Sequence, residues 1–181
     1  MQVSKAARRY ASALLQLAQE RDEVEKILED IRLIKNTVDG SRELLLFLRS
    51  PVVKQDDKQK ALNRIFGDKV QEATKLFIQL MTRKGRENLL DQIAESFIQQ
   101  YNRYAGIVKV EAFTATPLND EQVRNLQKSL ERRTNMKVDL KITENPDLKG
   151  GIAVRIDDTV IDGTVKHKFD QLESLFFESA V

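Results

Sequence analysis

The sequence contains no cysteine and only one histidine. Without cysteine, these residues form no disulfide, supply no thiolate nucleophile and build no cysteine-ligated metal site. His167 stands between Lys166 and Lys168 on a predicted helix, which favours a solvent-facing position over a catalytic or ligand role. No set of nucleophile, base and orienting group is visible, so the sequence does not indicate an enzyme.

Long hydrophobic runs and a dominant charge are also missing. No apolar run approaches the roughly 20 residues that span a bilayer, and the N-terminus leads directly into a helical pattern. We therefore expect no signal peptide and a soluble protein whose membrane association comes through partners. Charged residues make up 32% of the chain, but the net charge is only +2, which gives no strong field to attract nucleic acid.

Amphipathic helical patterns fill the first hundred residues of this 181-residue chain. Six apolar stripes recur at helical spacing, and they are separated by short connections that predict an antiparallel bundle over residues 1–105. Ser4 and Ser41 are predicted N-caps, and Asp56 and Asp57 suit a helix N-terminus. The fifth stripe is predicted to contain Val70, Ala73, Leu76, Phe77, Leu80 and Met81.

The periodicity changes at Gly106. Strand-like alternation at residues 108–112 and 138–142 flanks a helix capped by Asn119, and Gly150-Gly151 precedes an alternating strand with Ile152, Val154 and Ile156 on one face. We predict a turn at residues 157–159, a short return strand at 160–161 and a closing helix capped by Thr164. The predicted fold is thus mostly α, with an N-terminal antiparallel bundle of about six helices followed by a small α+β domain at 106–181.

Three motifs resemble ligand sites but have simpler interpretations. Asp157, Asp158 and Asp162 suggest a calcium loop, yet Thr159 and Ile161 occupy ligand-spaced positions, and turn formation explains the carboxylates. The glycine pair after Lys149 lacks the spacing of a phosphate-binding loop and is followed by a strand, so backbone freedom is the favoured reason for it. Basic spots at residues 8–9, 83–86 and 132–133 are dispersed and favour solvated faces over a nucleic-acid groove.

The first helix presents small residues beside larger apolar ones. Packing within the bundle is the simpler interpretation of this stripe, and the alternative is a groove that accepts an amphipathic partner helix. One wall of that groove would come from the first helix and the other from the fifth, with Met81 as an adaptable contact. The candidate residues are Tyr10, Ala11, Leu14, Leu15, Leu76, Phe77, Leu80 and Met81.

Several segments together resemble the delta subunit family of F-type ATP synthases, whose mitochondrial members are the oligomycin sensitivity-conferring proteins. The resemblance covers essentially the whole length, and its most specific part runs from Gly150-Gly151 through Asp162-Gly163-Thr164 to Leu172. The other matching segments are Arg9-Tyr10-Ala11-Ser12-Ala13-Leu14, Leu48-Arg49-Ser50-Pro51, Lys84-Gly85-Arg86 and Thr116-Pro117-Leu118. Asn145, Lys149 and Phe169 differ from the residues usual in the family at their positions.

The resemblance implies a non-catalytic stator subunit of a proton-translocating ATP synthase, with no catalytic residue, cofactor or metal. In that family the helical domain binds the N-terminal helix of an alpha subunit between its first and fifth helices, which carries over to the eight groove residues above. The C-terminal domain meets the peripheral stalk b subunits, for which Val165, Phe169, Leu172 and Phe176 are the candidates. The implied location is peripheral, on the cytoplasmic face of a bacterial plasma membrane or the stromal or cytoplasmic face of a thylakoid.

Three rival functions remain open from the sequence. They are a helix-groove adaptor unrelated to ATP synthase, a small enzyme using the acidic turn at residues 157–162, and a nucleic-acid binder with salt-sensitive affinity. The stator hypothesis predicts that a charged residue at Leu14 or Phe77 leaves folding tolerable but releases the catalytic head from the stalk.

Overall fold

The computed structural model describes residues 3–156, 159–165 and 167. The chain divides into two compact units, Met1–Asn102 and Arg103–Val181. The elements of the first unit are α1 (Lys5–Glu20), α2 (Val24–Asp39), α3 (Arg42–Arg49), α4 (Gln55–Phe66), α5 (Glu72–Arg83), a 3₁₀ turn (Glu87–Leu89) and α6 (Leu90–Tyr104), whose last residues fall in the second unit. Those of the second are β1 (Ile107–Thr114), α7 (Asp120–Thr134), β2 (Lys137–Glu144), a 3₁₀ turn (Pro146–Leu148), β3 (Ile152–Ile156) and β4 (Thr159–Asp162). The prediction of a helical bundle followed by an α+β region is confirmed.

Local capping chemistry fixes where the helices begin. Ser4 Oγ accepts a hydrogen bond from the backbone N–H of Ala7, and Ser41 Oγ accepts one from Leu44, as predicted for α1 and α3. Asn119 forms a full capping box with Gln122 at the start of α7, since each side chain accepts from the other residue's backbone N–H. These bonds satisfy backbone donors that the first helical turn leaves without partners.

One apolar core holds the helical unit together. It draws buried side chains from α1 to α6, and α2 contacts both α1 and α5. The largest fully buried side chains of this core include Leu14, Ile27, Ile31, Phe66 and Phe97. Burying each such side chain stabilises the fold by about 1.5–3 kcal/mol.

The buried face of α5 differs from the predicted stripe. Ala73, Phe77 and Met81 are buried as expected, but Leu76 and Leu80 are 50% and 46% exposed. Their places in the core are taken by Thr74, Ile78 and Thr82, so the helix is rotated relative to its most apolar face. The prediction that Leu76 and Leu80 belong to the core stripe is therefore wrong.

The second unit is built on a four-stranded sheet in the order β2-β1-β3-β4. β1 runs parallel to β2 and antiparallel to β3, which pairs in turn with β4. Val108, Val110 and Ala112 lie buried on one face of β1, where they pack with Leu130 of α7 and Val138 of β2. The predicted strand alternation is confirmed, and Thr159 opens β4, whereas Asp157 and Asp158 of the predicted turn lie outside the described residues.

The glycine pair before β3 permits a close backbone approach. Gly151 has φ +81°, and a Cβ there would lie 2.5 Å from the carbonyl oxygen of Gly163. Two backbone hydrogen bonds close the contact, from the N–H of Gly163 to the Ile152 carbonyl and from the N–H of Val165 to the Gly150 carbonyl. The glycines serve backbone geometry, as the sequence predicted.

Candidate partner-binding surface

The exposed leucines of α5 form the clearest candidate contact. Leu76 and Leu80 are one helical turn apart and project from the same face. Phe77 and Met81, which follow each of them, are buried at 9% and 0% exposure, so the exposed pair stands on a packed layer. Because Phe77 and Met81 pack α5 against the core, the two leucines are already held in place, and a partner would not have to order them on binding.

A buried carboxylate sets the rotation of α5. Asp30 of α2 is 5% exposed, and its Oδ2 accepts hydrogen bonds from Thr74 Oγ1 at 2.6 Å and from the backbone N–H of Gln71 at 2.8 Å. Gln71, the N-cap residue of α5, makes no side-chain capping bond, so Asp30 supplies the cap from a neighbouring helix. Burying Thr74 against Asp30 leaves Leu76 and Leu80 on the outside.

Sequence reasoning missed Asp30 and Thr74. The available signal was an acidic residue within the apolar stripe of α2, three residues after Ile27 and four before Ile34. An unpaired carboxylate there would be costly, so its position implies a partner on a neighbouring element. The sequence does not say which element supplies that partner.

The candidate residues of α1 lie mainly in the core. Ala11, Leu14 and Leu15 are buried, while Tyr10 is partly buried and packs against the same core. Of these four candidates, only Tyr10 is partly accessible at the surface.

These positions correct one expectation about mutations. Leu14 is 1% exposed and Phe77 is 9% exposed, so a charged residue at either position would be buried without a partner. Such a charge destabilises the fold by several kcal/mol or more. The expectation of tolerable folding is wrong, and a binding test belongs at the exposed leucines.

The candidate contacts of the closing segment are only partly described. Val165 is 39% exposed, and its Cγ2 lies 3.1 Å from where a Cβ on Gly150 would stand. Phe169, Leu172 and Phe176 lie outside the described residues.

Asp162 and Thr164 accept hydrogen bonds from the local backbone. Asp162 Oδ1 accepts from the backbone N–H of Thr164 at 2.9 Å, and Thr164 Oγ1 accepts from the backbone N–H of His167 at 3.1 Å, the spacing of a helix N-cap. Hydrogen bonds from the side chain and backbone of Thr164 lower the pKa of Asp162. Within the described residues, no group of three or more acidic or histidine side chains is arranged to hold a metal ion.

Comparison with known proteins identifies the family. The profile described as ATP synthase delta (OSCP) subunit matches residues 6–176. The chain belongs to the ATP synthase delta (OSCP) subunit family. ATP synthase subunit delta of Chlorobaculum tepidum is 40% identical over 92% of each chain, and that of Salinibacter ruber is 34% identical over 96% of this chain and 92% of the relative.

The fold also matches a solved structure. A chain in the cryo-EM structure of the Toxoplasma gondii mitochondrial ATP synthase hexamer superposes with a TM-score of 0.72 at 24% identity, covering 96% of this chain and 98% of the other. Membership in the delta (OSCP) family makes this chain a non-catalytic subunit of an ATP synthase complex. It also excludes the alternative of an adaptor unrelated to ATP synthase. In the described part of the chain, no helix has the length and apolarity needed to cross a membrane.

Proposed function

We propose that this subunit joins the catalytic head of a proton-translocating ATP synthase to its peripheral stalk. In this role it resists the torque of the rotor, so that ion flow is coupled to ATP synthesis. The helical unit would bind the N-terminal helix of an alpha subunit, and the second unit would bind the stalk b subunits. The observation that carries the proposal is the exposed pair Leu76 and Leu80 on a helix fixed from beneath.

The chemistry of the α5 face fits an amphipathic helix. Two leucines one turn apart match the spacing at which helix-in-groove complexes place their anchors. Full burial of a leucine contributes about 1.5–3 kcal/mol, so covering these half-exposed side chains contributes about 1 kcal/mol each. Tyr10 of α1 is partly buried against the same core to which Ala11, Leu14, Leu15, Phe77 and Met81 belong, and it would be the α1 contribution to the contact.

Calorimetric titration of the full chain with a peptide of the alpha subunit's N-terminal helix tests the proposal. Leu80→Glu should weaken binding by at least tenfold, because the loss of about 1 kcal/mol of leucine burial and the desolvation of a carboxylate together exceed the roughly 1.4 kcal/mol that corresponds to tenfold. Leu46→Glu on α3 is the matched control, because Leu46 is a leucine of similar exposure, at 59%, in the same unit.

Each outcome has a distinct meaning. Binding that is lost in Leu80→Glu but kept in Leu46→Glu supports the α5 face as the docking site. Equal binding by all three proteins rejects this face, and no binding by the folded wild-type protein rejects the alpha-subunit helix as its partner.

The second unit would meet the C-terminal ends of the b subunits through Val165 and, from their sequence spacing, Phe169, Leu172 and Phe176. Val165→Glu in the full chain should then reduce binding of a peptide from the C-terminal end of a b subunit while leaving alpha-peptide binding unchanged. The complex would lie on the cytoplasmic face of a bacterial plasma membrane or on the stromal or cytoplasmic face of a thylakoid. This chain would be a peripheral member of that complex.

A further inference from the structure

Two ion pairs, one buried and one partly exposed, link the elements that flank two connections of the helical unit. Lys58 of α4 donates through Nζ to the carbonyl oxygen of Leu48 at 2.8 Å and to Glu87 Oε1 at 2.6 Å. Arg49 Nη2 donates to Asp91 Oδ2 at 2.7 Å. The connection between α3 and α4 is therefore tied to the residues that follow α5. Residues 49–54 and 83–86 are called the basic tip below.

The basic tip concentrates charge of one sign. Its two segments contain the cations Arg49, Lys54, Arg83, Lys84 and Arg86 and no carboxylate, in a chain of net charge +2. Arg49 is paired with Asp91. Among the described residues no carboxylate lies within ion-pair distance of the other four cations, and all four are exposed.

An apolar side chain projects from the basic tip. Val52 is 88% exposed, although its connection is anchored through the Lys58–Glu87 pair, whose side chains are only 5% and 6% exposed. Burying charges costs several kcal/mol per ion before pairing, and Pro51 further restricts the backbone. Val52 therefore adds nothing to the core and stays accessible to another molecule.

We propose that the basic tip docks an acidic protein segment that covers Val52 in the assembled ATP synthase. An exposed apolar side chain in a segment with several exposed cations suits a protein interface, where charge of one sign favours a partner of the opposite sign. Asp56 and Asp57, the nearest exposed acids in sequence, lie in the first turn of α4, where they complement the helix N-terminus; Asp56 lines the same depression as Arg83 but makes no ion pair with it. This inference rests on membership in the complex and is independent of the α5 docking face.

Site-specific photo-crosslinking in the assembled, purified complex tests the proposal. Benzoylphenylalanine replaces Val52, and in a control it replaces Met136, which is 50% exposed in the second unit. The Val52 probe should crosslink to a segment of another subunit with a net negative charge. No crosslink, or crosslinks only to a neutral or basic segment, to lipid or to nucleic acid, would overturn the proposal. Because the alpha-peptide titration uses other residues, the two proposals fail separately.

Charge reversal gives a second, quantitative readout. The double variant Lys84→Glu with Arg86→Glu should dissociate from the complex during salt washes at a concentration at least twofold lower than the one that releases the wild-type subunit. The double variant Arg21→Glu with Lys26→Glu changes the same charge at exposed positions outside the tip and should behave as wild type. Far-ultraviolet circular dichroism of each isolated variant checks the fold. Equal release of both double variants would contradict a role of the tip in docking.

Discussion

The Asp30–Thr74 contact predicts a measurable coupling between α2 and α5. Asp30→Ala removes the acceptor of two hydrogen bonds and leaves the buried hydroxyl of Thr74 and the partly buried backbone N–H of Gln71 without it. Hydrogen bonds to charged groups contribute about 1.5–3 kcal/mol each, and relief of the carboxylate's desolvation offsets part of the loss. We expect a destabilisation of about 3 kcal/mol.

Thr74→Val isolates one of these bonds, since valine has nearly the shape of threonine. It should cost about 1–2 kcal/mol, because the lost bond is partly offset by a buried methyl group. In the double variant with Asp30→Ala, the second change should add little, which gives a coupling energy of about 1–2 kcal/mol.

Urea denaturation followed by circular dichroism at the helix band measures these free energies of unfolding. Thr82→Val is a suitable control, because the hydroxyl of Thr82 donates within its own helix, to the Ile78 carbonyl at 3.0 Å. Costs below about 0.5 kcal/mol for both Asp30→Ala and Thr74→Val, or strictly additive effects, would refute the assignment of Asp30 as the residue that orients α5.

Three further perturbations test other contacts. Gly151→Ala should lower the free energy of unfolding of the second unit by more than about 2 kcal/mol, because residue 151 has a positive φ and its Cβ would lie 2.5 Å from the Gly163 carbonyl oxygen. Amide-exchange protection in β3 equal to that of the wild type would contradict this. Asp162→Asn should remove part of the acid sensitivity of the same unit: hydrogen bonds from Thr164 lower the pKa of Asp162, so its stabilisation is present above the unfolded-state pKa and is lost as pH falls through the folded-state value. Identical stability-versus-pH curves for wild type and Asp162→Asn would reject that link. Lys58→Met should lower the free energy of unfolding of the helical unit by about 3–5 kcal/mol, because the buried carboxylate of Glu87 loses its partner. A urea midpoint equal to that of the wild type would show that the ion pair is dispensable for stability.

Element boundaries followed from local chemistry and were predictable. The caps at Ser4, Ser41 and Asn119 depend on residues at most three positions away, and the structure confirms each of them. The strand alternation in β1 likewise reflects one buried face and needs no knowledge of distant residues.

The rotation of α5 depends on a residue far away in the sequence. Apolarity alone favours burying Leu76 and Leu80, whereas the fold buries Thr74 because Asp30 lies 44 positions earlier and requires a donor. Sequence periodicity therefore identified the apolar residues of α5 but placed two of them, Leu76 and Leu80, in its buried stripe. The glycine pair is similar, since the sequence indicated backbone freedom, and only the fold identifies Gly163 as the neighbour that requires it.

The measurement that most directly tests the stator role is ATP-driven proton pumping by the complex reassembled with the Leu76→Glu, Leu80→Glu double variant. Our account predicts that ATP hydrolysis persists while pumping falls to a small fraction of the wild-type level, because a head released from the stalk turns with the rotor. Leu46→Glu should pump as wild type. Full pumping by a double variant that no longer binds the alpha-subunit peptide would contradict the account.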